Sequence, residues 1–123
     1  MRLAQEVSRN KLKFFGAAWS APVWMKTNTE LNHGGFLKGQ AGGKYYKAYA
    51  QYLVKFLQEY KKNNVTIWGL TALNEPTVFG NGRWFGYNCM GLTPENERGK
   101  ENPNYSCKCI IFLFELKSNH FQS

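Results

Sequence analysis

At 123 residues the chain is long enough for one domain of about 100 to 150 residues but not for a closed eight-stranded barrel, which takes about 250. Hydrophobic residues at 43% and charged residues at 20% are a folding composition and exclude a disordered segment. Sixteen Lys and Arg against eight acidic residues give +8, but Arg9, Lys11, Lys13, Lys26, Lys38, Lys44, Lys47 and Lys55 are scattered, without an Arg-rich block or zinc-ligand spacing to read bases. The excess lies before Asn64 and gives a basic surface, attractive to anionic lipid or other polyanions.

In chain order, Leu3 to Asn10 is compatible with a short helix, and Leu12 to Ala18 reads as a buried strand that Trp19-Ser20-Ala21-Pro22 ends, because the residue before proline is pushed out of the helical region. A long Gly-rich loop from Trp24 to Gly43 follows, of a length that often lines binding sites. Tyr45 to Lys62 is the clearest helix: Tyr45, Tyr49, Tyr52, Leu53, Phe56, Leu57 and Tyr60 recur at spacings of three and four and are expected to form a core stripe. Asn63-Asn64 stops it, and Val65 to Thr71, rich in β-branched residues, begins the next strand.

Strand, loop, helix, strand is the order of a crossover between parallel strands, an α/β arrangement. Trp19 after the first strand and Asn74-Glu75 after the second then share one edge of the sheet. In a (β/α)₈ barrel that edge carries the catalysis. Asn74-Glu75-Pro76 puts a carboxylic acid at a strand mouth, with an amide beside it and a rigid ring behind it. Such a carboxyl near an apolar rim is suited to donating a proton in one step and accepting one in the next. Neither strand is followed by a dinucleotide or phosphate-binding glycine pattern, which disfavours a nucleotide site.

Trp19 directly follows a strand and offers an aromatic face to a sugar ring, whereas Trp24 reads as loop packing. Trp84, Phe85 and Tyr87 either border the site or form an exposed patch for lipid. Cys89, Cys107 and Cys109 leave at least one thiol unpaired, and His33 and His120 lie too far from them in sequence to suggest a metal centre. No apolar run approaches the roughly 20 residues of a membrane span, and the first residues carry no signal-peptide pattern. The expectation is a cytosolic protein or one whose N-terminus is missing from this sequence.

Five ordered blocks, Phe15 to Asn28, Leu37 to Gln40, Tyr52 to Leu57, Thr71 to Pro76 and Cys89 to Glu95, resemble the glucosylceramidases of glycoside hydrolase family 30. The resemblance runs over residues 3–98 and implies a partial (β/α)₈ TIM barrel. It implies a retaining β-glucosidase that cleaves glucosylceramide to glucose and ceramide without a metal or organic cofactor, with this segment alone inactive. Glu75 would be the general acid/base, Asn74 would hold the sugar near its 2-hydroxyl, and Trp19 would line the glucose pocket. The alternatives are a β-xylosidase or β-1,6-glucanase of the same clan, and a basic lipid-binding module without catalysis.

By the same resemblance the complete protein would travel the secretory route to the lysosome, assisted by anionic lipid and a small lipid-binding activator protein. Asn64-Val65-Thr66 and Asn104-Tyr105-Ser106 both fit the glycosylation pattern. The family's nucleophile, a Glu on the seventh barrel strand, and a substrate-binding Asp on the first have no counterpart here. Thr93-Pro94-Glu95 opens the helix expected of the family. Residues 99–123 instead read as a divergent tail from truncation or altered splicing, or else as a genuine different C-terminus.

Overall fold

The structure is a computed structural model that describes residues 1–9, 11–79 and 85–92. Its elements are α1 (Arg2–Val7), β1 (Phe14–Ala17), a 3₁₀ turn (Val23–Met25), α2 (Lys44–Lys62), β2 (Ile67–Thr71) and α3 (Pro76–Phe79). β1 and β2 pair in parallel with α2 as the crossover, so the order read from the sequence is the repeat unit of a (β/α)₈ barrel. The chain is thus a partial barrel of this kind.

Helix α1 stops earlier than its pattern allows. The Ser8 hydroxyl donates to the Gln5 carbonyl at 3.0 Å and Arg9 turns left-handed with φ 52°, which together end the helix at Val7. Asn10, the expected end, lies outside the described residues. β1 is shorter than the apolar run from Leu12 to Ala18. Register explains part of this: Phe14 pairs with Ile67 but Phe15 pairs with Gly69, so Trp68 bulges out and the ladder becomes regular only from Phe15 onward.

At the paired position Gly16↔Leu70, a Cβ on Gly16 would lie 2.7 Å from Leu70 Cδ1. The glycine lets the Leu70 side chain lie directly against the strand, and a Cβ there would oblige the leucine to shift. Helix α2 ends on Asn63 and Asn64 as expected. Asn63 Nδ2 donates to the Glu59 carbonyl at 2.8 Å, Asn64 takes φ 61°, and Val65 N reaches back to Tyr60 O at 3.0 Å.

The tyrosine stripe of α2 is only partly core. Tyr49 is buried and Tyr45 and Leu53 pack beside it, but Tyr52 is 46% exposed. Among the described residues only two strands underlie the helix, too narrow a surface to cover the whole stripe.

The main buried cluster is Ala21, Met25, Leu37, Tyr49, Leu73 and Met90. Five of the six come from segments beyond the strand ends: before, within and after the 3₁₀ turn, after β2, and in 85–92. The long Gly-rich loop is therefore folded onto the sheet's C-terminal edge rather than held out from it. Thr27 N donates to Phe36 O and Lys38 N to Met25 O, each at 2.8 Å, closing the loop around an antiparallel bridge between Lys26 and Leu37.

The Tyr49 hydroxyl donates to the Ala72 carbonyl at 2.7 Å, tying α2 to the turn that leads from β2 into Asn74. Burial, with Tyr52 adding to it, pushes the Tyr49 pKa well above the usual tyrosine value. Tyr49→Phe should cost about 1 kcal/mol near neutral pH, by loss of one hydrogen bond to a part-buried carbonyl. Because the folded pKa is raised, the wild-type advantage is complete below about pH 10, the unfolded value, and is lost as pH rises further. Urea midpoints of the two proteins from pH 7 to 11 should therefore converge; parallel curves across that range would contradict the assignment.

Candidate active site

Both strands deliver their C-terminal residues to one edge, and a single backbone contact joins them there. Asn74 N donates to Ala18 O at 2.7 Å, which places the Asn-Glu pair beside the residue that precedes Trp19. Leu73, buried in the main cluster, anchors the turn from inside. Glu75 follows with φ 43°, a left-handed conformation that costs a non-glycine residue about 1–3 kcal/mol. Pro76 then begins α3, its fixed φ suiting the first helical position, and Val78 N closes the turn onto Glu75 O at 3.0 Å. The Glu75 side chain itself is exposed.

Trp19 is 45% exposed and meets the ring of Tyr87 edge to face, with centroids 6.0 Å apart. The two rings border a cleft of about 950 Å³ that runs along β1 past Ser20, Asn88 and Leu70 to Tyr52 and Phe56 of α2. Asn74 and Glu75 are not among its lining residues. The expected pocket residue Trp19 thus lines a cleft, the expected acid lies at the same sheet edge, and the structure brings Trp19 and Asn74 together through Ala18.

Phe85 and Tyr87 both pack against Phe79, although Tyr87 stays 48% exposed. Their centroids lie 5.0 and 5.9 Å from that of buried Phe79, so α3 and the 85–92 segment support each other and Tyr87 faces Trp19. Trp84 lies outside the described residues. Trp24, expected to pack, is tilted against Tyr45 at 6.3 Å yet remains 57% exposed.

Sequence reasoning missed Lys26, counted only as one of many scattered charges. It is fully buried, and desolvation pushes its pKa below the usual lysine value, with Cys89 and Glu30 acting in the opposite sense. No local pattern announces this, because the burial comes from pairing with distant segments; Met25 beside it and Leu37, its bridge partner, are buried with it.

Residues 1–102 match the glycosyl hydrolase family 30 TIM-barrel domain. The chain belongs to glycoside hydrolase family 30. It is 41% identical over 97 residues to the lysosomal acid glucosylceramidase of Mus musculus, covering 77% of this chain and 18% of the mouse protein. To putative glucosylceramidase 1 of Caenorhabditis elegans it is 48% identical over 75 residues, 61% of this chain and 14% of that protein. Among solved structures it is similar to the catalytic domain of the family 30 xylanase C from Talaromyces cellulolyticus, with a TM-score of 0.60 and 33% identity over 75% of this chain and 22% of that one. The chain therefore spans about a fifth of the length of such family 30 relatives.

Proposed function

We propose that this family 30 chain forms one wall of the sugar site of a retaining β-glucosidase of the glucosylceramidase type. Glu75 is its general acid/base, Asn74 the group that holds the sugar near its 2-hydroxyl, and Trp19 the aromatic platform. The observation that carries this reading is the Asn74 N to Ala18 O bond of 2.7 Å, which sets the acid-bearing turn against the Trp19 end of β1. Protonation of a glycosidic oxygen needs a carboxyl on one side of the bond and a sugar platform close by, and the edge supplies both kinds of group.

Retaining hydrolysis also needs a second carboxyl about 5 to 5.5 Å from the first. The other described carboxylates are committed elsewhere or lie away from the edge: Glu30 binds His33 Nδ1 at 2.7 Å, Glu59 binds Lys62 Nζ at 2.6 Å near the far end of α2, and Glu6 is in α1. Among the described residues no second carboxylate stands beside Glu75, and the family resemblance puts the nucleophile on a later barrel strand. The 123-residue chain should hydrolyse a fluorogenic β-glucoside at the rate of buffer, since an acid without a nucleophile gives no covalent intermediate. Turnover that disappears in Glu75→Gln would refute this division of labour.

Similarity to a xylanase makes a β-xyloside the reading to exclude, with a β-1,6-glucan as the other clan substrate. Rates of the longest protein the gene encodes on a β-glucoside, a β-xyloside and a β-1,6-glucan would separate the three. Glucosylceramide as substrate, anionic lipid and a small activator protein as partners, and passage through the secretory route to the lysosome belong to the same proposal. Exposed Asn64, in the left-handed turn after α2, is the acceptor that such a route would glycosylate. A basic lipid-binding module without catalysis would instead bind anionic vesicles in a salt-sensitive way and have no use for Glu75.

A further inference from the structure

Lys26 is the only charged side chain that is fully buried among the described residues, and no carboxylate lies within ion-pair distance of it there. A buried ammonium is costly unless all its protons are bonded, and this one has three to place. They go to three carbonyls: Leu31 O at 2.9 Å, Asn32 O at 3.4 Å and Cys89 O at 2.8 Å. The first two belong to the loop after the 3₁₀ turn, and the third belongs to the 85–92 segment. One cation therefore spans two stretches of chain far apart in sequence.

Other bonds cross the same seam. His33 N donates to Phe85 O at 2.9 Å, Cys89 N to Leu31 O at 3.3 Å, Gly91 N to Gly35 O at 2.8 Å, and Gly34 N to Cys89 Sγ at 3.1 Å. Leu31 O and Asn32 O each have a second donor, from Cys89 N and Asn28 Nδ2 respectively. The shortest of the three ammonium bonds is the one to Cys89 O, on the segment that holds Tyr87 and Asn88 at the cleft. Without the cation the seam keeps its backbone bonds but gains a buried carbonyl in need of a donor.

We propose that Lys26 is the positioning residue of the cleft: by fastening the 85–92 segment to the loop after Trp19, its ammonium sets Tyr87 and Asn88 opposite Trp19. The sugar-binding part of this statement rests on the proposed function, while the fastening does not. Lys26 does not line the cleft itself and acts through the residues it bonds, Cys89 in the 85–92 segment and Leu31, which lines the cleft.

The test compares the full 123-residue chain with Lys26→Met and the milder Lys26→Gln by NMR, following amide exchange and the Trp19 indole N–H. Trp19→Phe assigns that resonance, and Tyr87→Leu shows where it lies without its ring neighbour. Methyl β-D-glucoside is the binding probe. Lys26→Met should speed exchange at His33, Gly34, Cys89 and Gly91 by about tenfold, as in a local opening, while the amides of β2 and of Tyr49 to Lys55 change little. The Trp19 indole signal should shift toward its Tyr87→Leu position, and glucoside binding should weaken with it.

Lys26→Gln, which keeps a donor, should recover part of each effect. Unchanged exchange at the four amides, an unmoved indole signal, or uniform loss of protection in both variants would overturn the proposal. If the exchange and indole changes occur but the wild-type chain does not bind the glucoside, the sugar reading fails and the fastening stands.

Discussion

Phe79→Ala should destabilise the chain by about 3–5 kcal/mol, the range for removing a fully buried aromatic ring. Phe79 ends α3, a helix of four residues too short to persist by its own hydrogen bonds. Its ring is 1% exposed and meets Phe85 and Tyr87 nearly at right angles. Gly34 lies against the Phe79 carbonyl so closely that a Cβ there would fall 2.5 Å from the oxygen. The ring thus holds the turn after Glu75 against the 85–92 segment, while the backbone of the same residue closes on the Gly-rich loop. Urea unfolding should show the loss as a lower midpoint, with Phe79→Leu affected much less because it leaves a smaller void. A Phe79→Ala cost below about 1 kcal/mol would mean that the aromatic cluster does not support this edge.

The elements that could be read from the sequence are those with a strong local signal. Helix α2 carries its apolar spacing over five turns and its stop on two asparagines, so only its first residue differs from expectation. The strands were recognisable by composition, but their ends depend on pairing: the bulge at Trp68 and the register that begins at Phe15 are properties of two segments together. Exposure of Tyr52 is likewise set by how much sheet lies beneath α2, which no helical period encodes. The fold of the loop between Trp24 and Gly43 was hidden because its order comes from backbone bonds and from Lys26, and glycines signal only that sharp turns are permitted.

The position of the candidate site was legible where informative residue types and strand ends coincide. Trp19, Asn74 and Glu75 are informative residue types at the mouths of two parallel strands, and the structure places them on one edge. Tyr87 remained open between a cleft wall and a lipid patch, and its contacts with Trp19 and Phe79 favour the former. Lys26 escaped notice because a lysine is normally taken as solvated, and its burial depends on carbonyls brought from distant segments. The helix opened by Thr93-Pro94, the tail at 99–123, Cys107 with Cys109, and the second glycosylation pattern at Asn104 lie outside the described residues.

The effect of greatest size is expected at Glu75, and the decisive setting is a complete barrel. Residues 3–98, exchanged for the aligned segment of the mouse glucosylceramidase, would sit within the remainder of that protein, of which the match covers 18%. If Glu75 is the general acid/base, the chimera hydrolyses β-glucosides and Glu75→Gln lowers kcat/KM by about 10²–10⁴-fold on a substrate with a poor leaving group. The loss should be much smaller in the glycosylation step of a substrate whose leaving group departs without a proton, because only the acid role is then spared. Measuring kcat/KM of the chimera and its Glu75→Gln variant on both substrates tests the assignment directly: a large leaving-group-dependent loss is predicted, and an active chimera with equal rates before and after the substitution would contradict it.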